Sequence, residues 1–100
     1  MIRIKVTNKN NIIKKVTVTG HAMYDDYGKD IVCAAVSATY LCTINAILRI
    51  EPNTINITNN TVEVIEENKI TNELLHNMIK CLSELERQYP KNIKLNKEEI

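Results

Sequence analysis

The chain has 100 residues, one domain's worth, and must build its core without Trp or Phe from a composition that is 44% hydrophobic and 25% charged. A formal net charge of +1 excludes the strong basic excess of a general nucleic-acid binder. Arg3, Lys5, Lys9, Lys14 and Lys15 precede Gly20 with no acidic residue among them, and they read as a solvated strand face. Three cysteines, Cys33, Cys42 and Cys81, lack a tight pairing pattern, and the amino terminus alternates instead of forming an apolar leader; both features point to a reducing, cytoplasmic setting.

In chain order, Ile2, Ile4 and Val6 alternate with Arg3, Lys5 and Thr7, the pattern of a half-buried strand. Asn8 to Asn11 supply a turn, and Val16 and Val18 alternate with Thr17 and Thr19 to complete a hairpin ending at Gly20. Residues 20–29 read as a loop bounded by the chain's only two glycines, which suit unusual dihedrals or movement. Asp30 has the side chain of a helix N-cap.

No charge occurs from Ile31 to Leu48, a length that approaches a membrane span. Ser37, Thr39, Tyr40, Thr43 and Asn45 are too many polar groups for a lone span. The stretch therefore reads as a central helix covered by sheet on one side and a partner on the other, with no membrane association.

Glu51-Pro52-Asn53 breaks this helix. Ile55 and Ile57 mark a strand, Asn59-Asn60 a tight turn, and Val62 and Val64 the returning strand. Thr71 or Asn72 is expected to cap a second helix, whose stripe is Leu74, Leu75, Met78, Ile79, Leu82, Leu85 and Tyr89, and Pro90 ends it. Ile93 and Leu95 predict a short last strand, with Glu98-Glu99-Ile100 as a frayed tail. The order ββαββαβ predicts an α+β fold. Residues 1–100 form a single small domain, with two helices packed on a mostly antiparallel sheet of about five strands.

The chemistry centres on Cys33. With Asp30 as N-cap, Cys33 occupies the third helical position, where free amides and the helix dipole favour the nucleophilic thiolate and the same amides can donate to an oxyanion. A cysteine inside Ile-Val-Cys-Ala-Ala-Val reads equally as an inert core residue. His21 lies twelve residues earlier, at the end of a strand and before a loop able to return to the helix start. A Cys–His pair is the minimum constellation for thiol nucleophilic catalysis, against the bland reading of His21 as a surface histidine. His76 reads as a boundary residue of the second helix.

Asp30 is the first candidate to orient the histidine, with Asp25 and Asp26 behind it, although its role as cap competes. Ser37 lies one turn after Cys33 on the same helix face. No Cys-x-x-Cys or paired histidine suggests a metal, and no glycine-rich loop suggests a phosphate-bearing cofactor.

Gly20-His21-Ala22 followed by Gly28-Lys29-Asp30-Ile31-Val32-Cys33-Ala34-Ala35-Val36-Ser37-Ala38 resembles the two-part motif of the ribosomal-processing cysteine protease (Prp) family, and the resemblance covers nearly the whole chain. It implies a cytoplasmic bacterial endopeptidase, a homodimer, that removes a short N-terminal extension from large-subunit ribosomal protein twenty-seven. His21 and Cys33 would be the catalytic pair and Asp30 the nearby aspartate. The loop 22–29 would cover the substrate, with Met23, Tyr24, Tyr27, Gly28 and Ser37 as candidate substrate contacts. No metal, cofactor, nucleic acid or membrane is implied as a partner. The rival reading is a non-catalytic ribosome-assembly module that docks through the same loop and whose Cys33 has ordinary alkylation kinetics.

Overall fold

The structure, a computed structural model, describes residues 1–26 and 28–100. Its elements are β1 (Ile2–Lys9), β2 (Ile12–Gly20), α1 (Ile31–Ile50), β3 (Ile55–Thr58), β4 (Thr61–Val64), α2 (Lys69–Gln88) and β5 (Ile93–Glu99), the order ββαββαβ. One five-stranded sheet runs β3-β4-β2-β1-β5. Three of its pairings are antiparallel, and the fourth, β1 with β5, is parallel, so the sheet is mixed.

The period-two pattern dictates which sheet face is covered. Ile2, Ile4, Val6, Ile13, Val16, Val62 and Ile93 are buried beneath both helices. Arg3, Lys5, Lys15 and Lys94 lie on the open face, where Lys5 meets Glu98 at 3.1 Å. Val32, Val36, Ile44 and Ile47 of α1 and Leu75, Met78, Ile79 and Leu82 of α2 close the core. Removing such a side chain, as in Leu82→Ala, costs roughly 2–5 kcal/mol.

The β1–β2 turn is tighter than the asparagine run suggested. Strand pairing continues to Lys9 and Ile12 past a bulge at Thr7/Asn8, leaving Asn10 and Asn11 alone at φ 52° and 65°. Two successive left-handed residues match the right-handed strand twist, and Asn tolerates that region. Asn72 and His76 of α2 clamp this turn, each reaching the Asn11 carbonyl, at 3.3 and 2.7 Å.

Two expectations fail at element ends. The cap of α2 is Asn68, whose Oδ1 accepts from the Thr71 amide at 3.0 Å. Thr71 is instead buried, its hydroxyl 2.7 Å from that of Thr54, and Asn72 Oδ1 accepts from the Ile13 amide at 2.9 Å. Nor is the carboxyl end frayed: β5 pairs with β1 through Asn8↔Glu99, and the Ile100 amide donates to the Asn8 carbonyl at 2.9 Å.

The helix α1 is long and apolar enough to cross a membrane. One side is locked into the core, while Ile31, Leu41, Leu48 and Ile50 are exposed.

Candidate active site

At its end β2 delivers Gly20 at φ 85°, where a Cβ would run into the Met1 carbonyl oxygen. Only glycine fits a left-handed conformation pressed against backbone. The chain then passes through exposed His21 and buried Ala22 before Met23, itself at φ 59°. Burial of Ala22 pins the segment against the start of α1, and its amide donates to Cys33 Sγ at 3.2 Å. The Ala22 carbonyl accepts from Asn92 Nδ2 at 2.9 Å, and the Asn92 carbonyl in turn accepts from the Ile2 amide at 2.8 Å.

Asp30 caps α1. Its Oδ1 accepts from the Val32 and Cys33 amides at 3.0 and 2.9 Å, and its Oδ2 from the Tyr24 amide at 3.0 Å. The Cys33 amide, the largest influence, and the Tyr24 and Asp25 amides hold the carboxyl below its ordinary value of 3.8, partly opposed by desolvation. Both carboxylate oxygens are thus engaged with backbone. Among the described residues no hydrogen bond joins Asp30 to His21, or His21 to Cys33.

The cap overturns one expectation. The Val32 and Cys33 amides are not free for an oxyanion, since Asp30 consumes them, and the Ala34 amide closes on the Asp30 carbonyl at 3.1 Å. The donor aimed at the sulfur is the Ala22 amide, from the opposite wall.

Cys33 and His21 line the same groove, of about 920 Å³, together with Asp30, Met23, Gly28 and Ser37. Its far wall is Val18, Thr19 and Gly20 of β2 with Asn60 of the β3–β4 turn. Tyr24 is placed differently: its ring meets that of Tyr89 edge-on, with centroids 5.5 Å apart. Tyr27 lies outside the described residues. Cys42 and Cys81 are free thiols away from the groove lining.

Sequence reasoning missed Asn92, Val18 and Asn60. Asn92 follows Pro90-Lys91 in an unremarkable polar stretch, and no local pattern marks it.

Known proteins of one family resemble the chain over nearly its whole length. The family described as cysteine protease Prp matches residues 1–94. The ribosomal processing cysteine protease Prp of Staphylococcus aureus is 34% identical over 104 residues, covering 96% of this chain and 98% of its own. A crystal structure of that organism's essential ribosomal processing protease Prp, with a covalently linked product peptide, superposes with a TM-score of 0.89 at 30% identity, covering 98% of this chain and 100% of that one. A second, with a substrate peptide, gives a TM-score of 0.86 at 27% identity with the same coverage.

Proposed function

The chain belongs to the cysteine protease Prp family and is a cysteine protease, and we propose that it removes the N-terminal extension of large-subunit ribosomal protein twenty-seven in the bacterial cytoplasm, with Cys33 as nucleophile and His21 as base. The observation that carries the residue assignment is the Ala22 amide on Cys33 Sγ at 3.2 Å, in a groove that His21 also lines.

The thiolate attacks the scissile carbonyl carbon, forming the C–S bond and placing the carbonyl electrons on oxygen. The Ala22 amide, already beside the sulfur, stabilises that oxyanion. Collapse breaks the C–N bond, and the His21 imidazolium gives its proton to the leaving amine. His21 then takes a proton from water as the water attacks the thioester. The C–S bond breaks, and the peptide acid leaves with the thiolate restored. Asp30 acts through position: it fixes the first turn of α1 and, through the Tyr24 amide, the loop that follows His21.

The exposed, uncharged side of α1, with Leu41 and Leu48, suits a second copy of the chain, so the working form is a homodimer.

The direct test is mass spectrometry of the precursor ribosomal protein after incubation with the parent chain, Cys33→Ala and His21→Ala. Cleavage by the parent and by neither variant is expected, with thermal unfolding of both unchanged. Parent-rate cleavage by either variant refutes the assignment.

A further inference from the structure

The strand β2 pairs along its whole far half with β1, to Gly20, yet with β4 only from Lys15 to Thr17. Among the described residues, the β4 side of β2 beyond Thr17 meets the β3–β4 turn alone, where the Val18 amide donates to the Asn60 carbonyl at 2.9 Å. Antiparallel strands alternate, with successive residues directing both backbone groups to opposite neighbours. The Val18 amide therefore sets the parity: Val16, Val18 and Gly20 face the β4 side, and Thr17 and Thr19 face β1. Among the described residues no backbone donor reaches the Val18 carbonyl and no acceptor meets the Gly20 amide on that side.

This open stretch of edge is a wall of the groove that holds Cys33. Exposed strand edges are normally blunted by charge, proline or cover. Val18-Thr19-Gly20 carries neither charge nor proline, and Thr19 and Gly20 are exposed. The opposite wall, Ala34 and Ser37 of α1, is built of small side chains, so an added backbone has room beside β2.

We propose that the peptide substrate binds as an added β-strand on this edge, taking the place β4 vacates beyond Thr17 and pairing with the Val18 carbonyl and the Gly20 amide. The inference rests on the proteolytic reading of the same groove and specifies how it reads its substrate. Recognition is then carried by main-chain hydrogen bonds, with side chains of the peptide sampled at every second position. The chain segment adjoining the scissile bond must be extended and free of proline at the bonded position, which restricts cleavage to unfolded extensions. Gly20 leads directly into His21 and Ala22, so a strand held at Gly20 is carried toward the sulfur.

The test uses the Cys33→Ala chain and a fluorescent peptide spanning the precursor's extension, made as a series with one backbone amide N-methylated at a time. Binding is read by anisotropy, and cleavage of the unmodified peptide is measured separately with the parent chain. Expected is a loss of about tenfold or more in affinity at the one peptide amide that bonds the Val18 carbonyl, with little change at its neighbours. On peptide binding, the Val18 and Gly20 region should also show altered amide exchange. A flat N-methyl profile, or no binding at all, overturns the inference. Binding that is lost at that single amide, without cleavage by the parent chain, leaves the inference standing and removes the proteolytic reading instead.

Discussion

The amide of Ala22 donates to Sγ of Cys33 at 3.2 Å, across the gap between a strand end and a helix start. Ala22 is buried, so this donor is held in place, and it is held from behind by Asn92 through the Ala22 carbonyl at 2.9 Å. The geometry makes Asn92 a positioning residue: it holds the Ala22–Met23 peptide group, next along the chain to the His21–Ala22 group whose amide touches the sulfur.

Asn92→Ala should therefore lower kcat for the precursor by about tenfold while leaving KM within about a factor of two, because the donor's aim is lost and the groove is not. Asn92→Asp should be at least as damaging, since an acceptor then faces the Ala22 carbonyl. Steady-state kinetics on the purified variants decide it. An equal fall in kcat and rise in KM would mark a merely structural residue.

Asp30→Asn keeps an acceptor for the Val32 and Cys33 amides but turns an amide NH2 toward the Tyr24 amide, whereas Asp30→Ala removes every acceptor. The asparagine variant should keep α1 capped and lose the loop tie; the alanine variant should lose both. Misplacement of the Cys33 turn in Asp30→Ala is expected to cost about 100-fold in kcat/KM.

Acid titration separates the same residue from its neighbours. The Asp30 carboxyl is depressed below 3.8, chiefly by the Cys33 amide. A depressed carboxylate contributes stability that is fully present above the unfolded value and is lost as pH falls through the folded one. Melting temperature against pH should thus show an Asp30 contribution that fades only below about pH 4. Asp30→Asn should lack that part of the acid limb.

Gly20→Ala should destabilise the chain by about 1–2 kcal/mol from the left-handed backbone alone, with more from the contact with Met1. Because Met1 backbone must shift to admit the Cβ, the parallel β1–β5 start is disturbed as well. Urea unfolding gives the number. Gly28→Ala meets nothing within 4 Å and carries only the backbone penalty.

Asn68→Ala should cost about 1 kcal/mol as a lost cap. Thr71→Val should also destabilise, by a different route: it leaves the buried Thr54 hydroxyl with only the Glu51 carbonyl. A double variant should show near-additive losses if the two act separately.

Much of this was legible in the residues. Alternation at Ile2, Ile4 and Val6 determined a strand and its inner face, because side chains on a strand alternate strictly. The carboxylate of Asp30 before an uncharged run determined a cap, because helix-start amides need a local acceptor. The motif around His21 and Cys33 determined the family. These are short-range matters, decided within a few positions of the chain.

What lay beyond the sequence was long-range. Asn68 won the second cap over Thr71 and Asn72 because both of those were claimed by distant partners, Thr54 and Ile13. The last strand was extended by pairing with β1, which local composition does not encode. Asp30 closing off the Cys33 and Val32 amides, and Asn92 reaching Ala22 across 70 positions, were set by packing alone. Hydrogen-bond partners of this kind are chosen by which backbone groups the folded layers bring within 3 Å or so, and a pattern of residue types carries no record of that choice.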